Sequence, residues 1–430
     1  MTDRRTFLHH LGASSTLAFL PAVTIDRFES SIDKRDTTID AVEVIKVTGP
    51  YQSRPGYNRQ FQVQAVHIYD DQRPKEYKDQ LDAKVVEGST SQYFISIKTK
   101  GGLEGFYGAI DSETVAPIIQ QMADFLKGKN ALDVEMLWDQ LYKRNRHGRA
   151  GHYMMAISAI DNALWDLRGK YFDVPVYQLL GGATRKEIQV YGSCLGFTAE
   201  PGKIGPKVKE LYNKGFVHQK WFAAHGPGEG VPGLNKAVDM VREIREGGGD
   251  NLQFMIDSYM GWDLPFAIAW AKEVEKYHPY WIEEAFPVDR LIAFETLSKS
   301  TSIPIATGEH FYSRWEVVNF LRAGVQIIQA DPEWCGGISE LVKICHLASA
   351  FGAKVSPHGH NLPAQMHVVA SQSPEVCPLV EYLINHVEHK VHFFKEKPLT
   401  DNGKIALPTS PGLSVALDND VVEKKEVVRL

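Results

Sequence analysis

The sequence predicts an α/β protein, a modified (β/α)-barrel with an N-terminal α+β capping domain. After residue 181, short apolar or β-branched runs alternate with helical stretches, as in repeated βα units. Before residue 181, strands come first and helices follow, which is typical of a separate α+β domain. Eight apolar runs within about 200 residues fit one eight-stranded barrel better than an open sheet. The runs lie at 188–193, 216–222, 252–257, 280–283, 303–308, 326–331, 353–358 and 378–381.

The N-terminal part contains a predicted β-hairpin followed by helices. Strand-like segments lie at 42–47 and 93–99, and the Gly-rich turn at 100–102 leads into a further strand at 103–107. Helical periodicity follows and ends in a long amphipathic run. The predicted helices cover 113–127, 133–143 and 153–170.

These patterns divide the chain into four predicted segments. The Gly-rich stretch at 179–183 is a plausible junction between the capping domain and the barrel. The segments are a signal peptide and linker at 1–38, the capping domain at 39–180, the barrel at 181–390, and a C-terminal segment at 391–430 that packs back on the capping domain.

The first residues have the layout of an export signal. Arg4 and Arg5 precede a modestly apolar stretch at 17–22, and paired arginines resemble the twin-arginine type of signal. This layout predicts a periplasmic protein. The alternative is a polar tail on a cytoplasmic protein. In either case residues 1–38 stand outside the fold prediction.

The composition is that of an ordinary soluble globular protein. Of 430 residues, 47 are Lys or Arg and 53 are Asp or Glu, which gives a formal charge of −6. This mild acidic excess gives no reason to expect nucleic acid or a membrane surface as a partner. The four cysteines are scattered without C-x-x-C spacing, which favours buried thiols over a disulfide framework. No apolar run reaches the roughly 18 residues of a membrane span.

Ionisable residues follow successive barrel runs at regular intervals. They are 26, 26, 22, 27 and 23 residues apart, and each step is about one βα unit. Because the carboxyl ends of parallel strands meet at one end of a barrel, these side chains are expected to surround a single mouth. They are Asp257, Glu283, Glu309, Asp331, His358 and Glu381.

Three of these acids predict a magnesium site. Asp257, Glu283 and Glu309 could not all stay ionised in one pocket without a compensating cation. Carboxylate oxygens are the ligands that Mg²⁺ prefers, and no Cys or His set at this rim competes for zinc. The alternative is that each acid is a solvated loop residue, which is less consistent with three acids at matched spacing.

The remaining three residues predict acid–base chemistry. Asp331 beside His358 would fix the imidazole tautomer and raise its basicity, producing a general base. Glu381 faces the same mouth and could donate to a developing anion if it stays protonated.

Residues from about 41 to 420 resemble the enolase superfamily, in its mandelate racemase and muconate lactonizing branch, and most closely its L-rhamnonate dehydratase group. The resemblance implies a TIM-like barrel roofed by the N-terminal domain, with loops at roughly 50–70 closing over the substrate. It also assigns the metal positions to Asp257, Glu283 and Glu309, the dyad to Asp331 and His358, and the eighth-strand acid to Glu381. The matching stretches are 160–166, 176–182, 281–284, 308–310, Asp331 before Gly336-Gly337, and 357–359.

Two departures from the family's patterns narrow the predicted reaction. Racemases carry Lys-x-Lys at the end of the second strand, whereas this chain has Lys220-Trp221-Phe222. Mannonate-type dehydratases carry Asp-x-His at the third strand, whereas this chain has Tyr259 in place of that histidine. Racemisation is therefore disfavoured, and the resemblance implies chemistry with His358 as the single base.

The predicted activity is a Mg²⁺-dependent dehydration of an acid sugar to a 2-keto-3-deoxy acid, by a homo-oligomer as in relatives. Candidate substrate-binding residues are Lys220, His310 and His67, although Lys220 could equally be a partly exposed strand-end lysine. Trp221, Trp262 and Trp334 could line the substrate pocket or pack in the core. The alternatives are an epimerase or cycloisomerase of the same superfamily and a non-catalytic sugar-acid binding protein.

Overall fold

The computed structural model describes residues 36–53, 62–74 and 84–430, and residues 37–430 form one compact unit. The predicted export signal and part of the predicted 50–70 loop lie outside the described residues. No described helix combines the length and the apolar character that a membrane span requires.

The N-terminal domain contains a four-stranded antiparallel sheet. Its strands are β1 (Ile39–Ser53), β2 (Val86–Thr99), β3 (Glu104–Ile110) and, from the end of the chain, β13 (Lys424–Val427). The sheet order is β13-β1-β2-β3, so the last strand of the chain pairs with the first. The turn between β2 and β3 requires Gly102, whose φ of 86° lies in the left-handed region.

Helices pack against this sheet. The described helices of the N-terminal half are Ala65–Ile68 and Ser112–Thr114 (3₁₀), Val115–Pro117, Ile118–Met122 (π), Ala123–Leu126, Val134–Arg144, Gly151–Phe172 and Val176–Leu179. The run from 153 to 170 is helical as predicted, but it is buried on nearly all sides and not amphipathic. The reason is that Gly151–Phe172 packs between β2–β3 and a barrel helix, so no broad face meets solvent.

The predicted barrel is confirmed, and each of the eight predicted runs overlaps one parallel strand. The strand order is β10-β9-β8-β7-β6-β5-β4-β11, with a short β12 (Lys404–Ala406) antiparallel to β4. The strands are β4 (Glu187–Ser193), β5 (His218–Phe222), β6 (Gln253–Asp257), β7 (Trp281–Glu283), β8 (Ile305–Thr307), β9 (Ile327–Ile328), β10 (Lys354–Val355) and β11 (Val380–Leu383).

Helices follow the strands, as βα units require. They are Ile204–Asn213, Gly230–Gly248, Leu264–Val274, Leu291–Ser298, Arg314–Arg322, Gly337–Ala350, Leu362–Ser371 and Val387–Lys390, with 3₁₀ turns at Pro227–Glu229 and Glu275–Tyr277. The predicted domain boundaries stay a prediction, since the described chain forms one unit.

The strand register places Asp257 and Glu283 next to a plug of apolar side chains that fills the barrel interior. The plug consists of Tyr191, Met255, Trp281, Ala306, Ile327 and Leu379. Side chains alternate along a strand, so the residue two positions beyond a plug residue points inward again. Met255 pairs with Trp281, and Asp257 pairs with Glu283 two residues later. The two acids therefore stand side by side at the carboxyl end of the barrel.

Buried polar residues of the helix Gly151–Phe172 hold the loop that follows β9. Asp161 accepts hydrogen bonds from the backbone N–H and hydroxyl of Ser339, at 2.9 and 2.7 Å. Asn162 accepts from the N–H of Ile338 (3.0 Å) and donates to the carbonyl of Pro332 (3.1 Å). These side chains satisfy N–H groups at the start of Gly337–Ala350, which have no partner within their own helix. Their role is structural, and they attach the N-terminal domain to the barrel.

Replacing Asn162 with Ala is expected to lower the free energy of unfolding by about 2 kcal/mol, because it leaves a buried N–H and a buried C=O without partners. Urea denaturation followed by circular dichroism measures the change. The exposed Asn319→Ala is the matched control. Equal midpoints for the two variants would contradict the structural role of Asn162.

Candidate active site

Three buried carboxylates converge at the carboxyl mouth of the barrel. Asp257 ends β6, Glu283 ends β7, and Glu309 lies two residues beyond β8. One oxygen from each lies within 4.8 Å of the others. The indole N–H of Trp281 donates to Oε2 of Glu283 (2.8 Å), and the N–H of Tyr259 donates to Oδ1 of Asp257 (2.8 Å). Oδ2 of Asp257 and Oε1 of Glu283 both contact the ammonium group of Lys220.

Lys220 lies among these acids and is 1% exposed, so the alternative of a partly exposed strand-end lysine is wrong. Its Nζ is 3.2 Å from Oδ2 of Asp257, 2.8 Å from Oε1 of Glu381 and in an ion pair with Glu283. Burial lowers the pKa of Lys220, but Glu283 and Glu381 outweigh it and hold the pKa well above its ordinary value. Lys220 is therefore a buried cation that compensates the acids.

Replacing Lys220 with Met is expected to destabilise the metal-free protein by about 3–5 kcal/mol, because buried carboxylates lose their partner. Mg²⁺ should reduce this loss by supplying positive charge at the same acids. Urea denaturation with EDTA and with Mg²⁺ measures both effects. The exposed Lys214→Met is the control, and equal losses for the two variants would rule out Lys220 as the counter-ion.

The three carboxylates fit a hard divalent cation. Burial raises the pKa of Asp257 and holds that of Glu283 well above its ordinary value, despite the attraction of Lys220. The single ammonium group of Lys220 therefore does not balance the negative charge of the three carboxylates. All three donors are oxygens, which suits Mg²⁺ better than zinc.

The imidazole of His358 lies beside the three acids. Its Nδ1 is 2.6 Å from Oδ2 of Asp331, and its Nε2 is 3.8 Å from Oε2 of Glu309 and 3.9 Å from Oε2 of Glu381. A carboxylate can only accept a hydrogen bond, so Nδ1 carries a hydrogen and Nε2 faces the mouth. Burial disfavours the charged imidazole, but Glu309, Glu381 and Asp331 raise the pKa of His358 from 6.5 to about 10.

The pKa of Glu381 is lowered, which disfavours the protonated form that donation to a developing anion would require. Burial raises the pKa of Glu381, but Lys220 and His358 outweigh this and lower it. The carboxylate also accepts a hydrogen bond from the N–H of Gly359 at 2.9 Å. Purely apolar surroundings would have favoured the protonated form of Glu381, but the buried ammonium group of Lys220 lies beside it.

Trp334 is an aromatic contact of His358 that connects it to the N-terminal domain. Its ring centroid lies 5.0 Å from that of His358 and 5.3 Å from that of His310, and its indole N–H donates to Asp111 at 2.9 Å. Asp111 also contacts Nε2 of His360 at 2.7 Å. Of the three tryptophans that could line the pocket or pack in the core, Trp334 lines the site, whereas Trp221 and Trp262 belong to the core.

Glu284 also points into the mouth, which strand alternation did not predict. Its φ of 44° is left-handed, so the chain turns after Glu283 and the next side chain faces the same side. His310 lies nearby and is a third exposed, with Nε2 3.2 Å from Oε1 of Glu309 and 3.8 Å from Oε2 of Glu284. The pair Glu283–Glu284 was the only sequence signal for this residue.

His67 lies apart from the acids. Its Nδ1 accepts a hydrogen bond from the N–H of Gln64 at 3.2 Å. Together with Arg73, His225 and Glu229, it lines a cavity of about 370 Å³. The carboxylates of the proposed metal site do not line that cavity. The structure therefore brings every predicted site residue together except His67.

Comparisons with known proteins match both halves of the chain. Residues 69–181 match the family described as "Mandelate racemase / muconate lactonizing enzyme, N-terminal domain", and residues 204–421 match "Enolase C-terminal domain-like". The L-rhamnonate dehydratase of Saccharopolyspora erythraea is 35% identical over 338 residues, which cover 76% of this chain and 83% of that protein.

Two solved structures share the fold over nearly the whole chain. The L-rhamnonate dehydratase of Gibberella zeae superposes with a TM-score of 0.76 at 27% identity, covering 91% of this chain and 96% of that one. The 3,6-anhydro-D-galactonate cycloisomerase of Zobellia galactanivorans superposes with a TM-score of 0.71 at 26% identity, covering 90% and 100%.

Proposed function

The chain belongs to the mandelate racemase and muconate lactonizing enzyme branch of the enolase superfamily, and from this premise we propose that it is a magnesium-dependent acid-sugar dehydratase. It removes the proton α to a carboxylate and eliminates the β-hydroxyl group, which gives a 2-keto-3-deoxy acid. The observation that carries the proposal is the convergence of Asp257, Glu283 and Glu309 opposite a single His358–Asp331 dyad.

The proposed cofactor site is formed by Asp257, Glu283 and Glu309. A proton next to a carboxylate is weakly acidic, since its removal places two negative charges on one group. When bound, Mg²⁺ would supply the positive charge that offsets this developing dianion. The chain itself contributes the burial that excludes water and the ion pairs of Lys220 with Glu283 and Glu381, and Lys220 lowers the pKa of Glu381.

The proton is moved by His358. Glu309 and its neighbours hold the pKa of His358 at about 10 while their own charge is not offset, whereas with a cation at these acids the neutral imidazole would be available. Nε2 then takes the C2 proton, and Asp331 stabilises the resulting imidazolium through Nδ1. The C3–O bond then breaks, and the departing hydroxide takes that proton from His358 and leaves as water. The enol that remains tautomerises to the 2-keto acid. Phe222 stands at the position where a racemase carries its second base, so that base is missing from the strand β5.

A substrate screen tests the proposal. Purified protein with Mg²⁺ is incubated with a library of aldonic and uronic-derived acids, and 2-keto acids are detected as semicarbazones. We expect a keto product from at least one acid sugar and none after EDTA treatment. A non-catalytic sugar-acid binding protein would give neither product nor exchange of the C2 hydrogen in deuterated water, and that result would reject the proposal.

A cycloisomerase is the second candidate, because the chain shares its fold with the Zobellia galactanivorans enzyme at 26% identity. Isomerisation by a cycloisomerase or an epimerase conserves the mass of the substrate, whereas dehydration removes one water. Mass spectrometry of the product therefore separates these reactions.

We further propose, from residues 1–38 and from the family, that the protein is exported to the periplasm and assembles as a homo-oligomer. Fractionation of cells that express the full chain tests the location. Analytical ultracentrifugation tests the assembly.

A further inference from the structure

A second group of metal-type donors lies beside the three carboxylates and shares one member with them. It consists of Glu284, Glu309 and His310, one donor atom of each lying within 4.8 Å of the others, and we refer to it as the outer donor group. Oε1 of Glu309 faces Nε2 of His310 at 3.2 Å, whereas Oε2 of Glu309 faces His358 at 3.8 Å. The two oxygens of Glu309 thus point to different sides.

Glu284 supplies an independent sign of a ligand. Its side chain is 1% exposed, and its Oε1 has no hydrogen-bond partner among the described residues. An ionised Oε1 would lack a donor, and a protonated Oε1 would lack an acceptor. A buried carboxyl oxygen without a partner costs free energy in either state, so the position requires a group that the described residues do not provide.

The balance of charge also indicates a cation. Six buried carboxylates surround this mouth, and the basic side chains that contact them among the described residues of the mouth are Lys220, His358 and His310. The carboxyl groups outnumber these basic side chains, and bound divalent cations would offset the difference. The six acids are Asp257, Glu283, Glu284, Glu309, Asp331 and Glu381.

We propose that the outer donor group binds a second divalent cation, next to the proposed magnesium site and bridged to it by Glu309. One imidazole nitrogen and two carboxylates suit a first-row transition ion such as Mn²⁺ better than Mg²⁺. A carboxylate that bridges two ions is a recurring arrangement in two-metal sites. This inference rests on the proposed magnesium site, since Glu309 belongs to both groups.

Mn²⁺ binding to the EDTA-treated full chain tests the inference. Equilibrium dialysis is expected to give about two Mn²⁺ per chain for the wild type and about one for His310→Gln and for Glu284→Gln. The exposed His346→Gln is the matched control and should keep both ions. Asp257→Asn, which belongs only to the first group, should also fall to one. Circular dichroism checks the fold of each variant.

Two results would overturn the second site. The first is saturation of the wild type at one Mn²⁺, which would make Glu284 a contact of substrate or water. The second is retention of two ions by both His310→Gln and Glu284→Gln. In the wild type, spin coupling between the two Mn²⁺ should also weaken the isolated-ion EPR signal. Dehydration by a chain that binds one ion would reject this inference alone, whereas two ions without dehydration would reject only the proposed function.

Discussion

Replacing His358 with Asn is expected to reduce turnover by about 10³-fold or more, because the C2 proton then has no base. Asn keeps a polar side chain next to Asp331 but cannot accept a proton at neutral pH. The rate of 2-keto acid formation measures the loss. Exchange of the C2 hydrogen in deuterated water should fall in parallel, because exchange reports the same proton transfer without requiring elimination.

The control for this variant is His346→Asn, an exposed histidine on the helix Gly337–Ala350. It should keep wild-type turnover and the wild-type melting temperature. His358→Asn should also stay folded, since the polar contact with Asp331 can be partly retained. A His358→Asn enzyme that is folded and retains near-normal turnover would remove His358 from the mechanism.

Replacing Glu309 with Gln is expected to abolish measurable turnover and to weaken divalent cation binding by at least about 10²-fold. The change removes one negative charge and one strong ligand from the proposed metal site. It should also lower the pKa of His358 from about 10, because Glu309 is the carboxylate that contributes most to raising it against the effect of burial.

Isothermal titration with Mg²⁺ and Mn²⁺ measures the loss of affinity, and NMR titration of the His358 ring measures the pKa. The exposed Glu375→Gln is the matched control and should change neither quantity. Unchanged metal affinity in Glu309→Gln would show that the carboxylates at the mouth are not the metal ligands. An unchanged pKa of His358 would contradict the electrostatic contact between the two side chains.

Much of the fold could be predicted because the relevant patterns are local. A βα unit has a nearly constant length, so the spacing of Asp257, Glu283 and Glu309 indicated successive strands before any contact was known. The same argument placed Asp331, His358 and Glu381 at the same mouth. The amphipathic interpretation of 153–170 was wrong because the helix packs between two layers, and a sequence pattern does not show how many faces a helix buries.

The ionisation of the site could not be predicted in the same way. Lys220 was open to two interpretations, and a role for Glu381 as a proton donor depended on its staying protonated. Both groups share a contact of 2.8 Å, which joins side chains 161 positions apart in the chain. A pKa depends on burial and on charges within a few ångströms, and those distances arise from packing.

The sequence by itself determined the barrel, the order of its strands and the ring of acids with one imidazole, since strand period and βα length are properties of short segments. Only the tertiary structure decided that Lys220 is the counter-ion, that Glu284 turns inward, and that Trp334 connects His358 to Asp111. These features depend on a single left-handed residue or on contacts between distant segments. Neither kind of feature produces a periodic pattern in the sequence, because burial and electrostatic partners depend on how the whole chain packs.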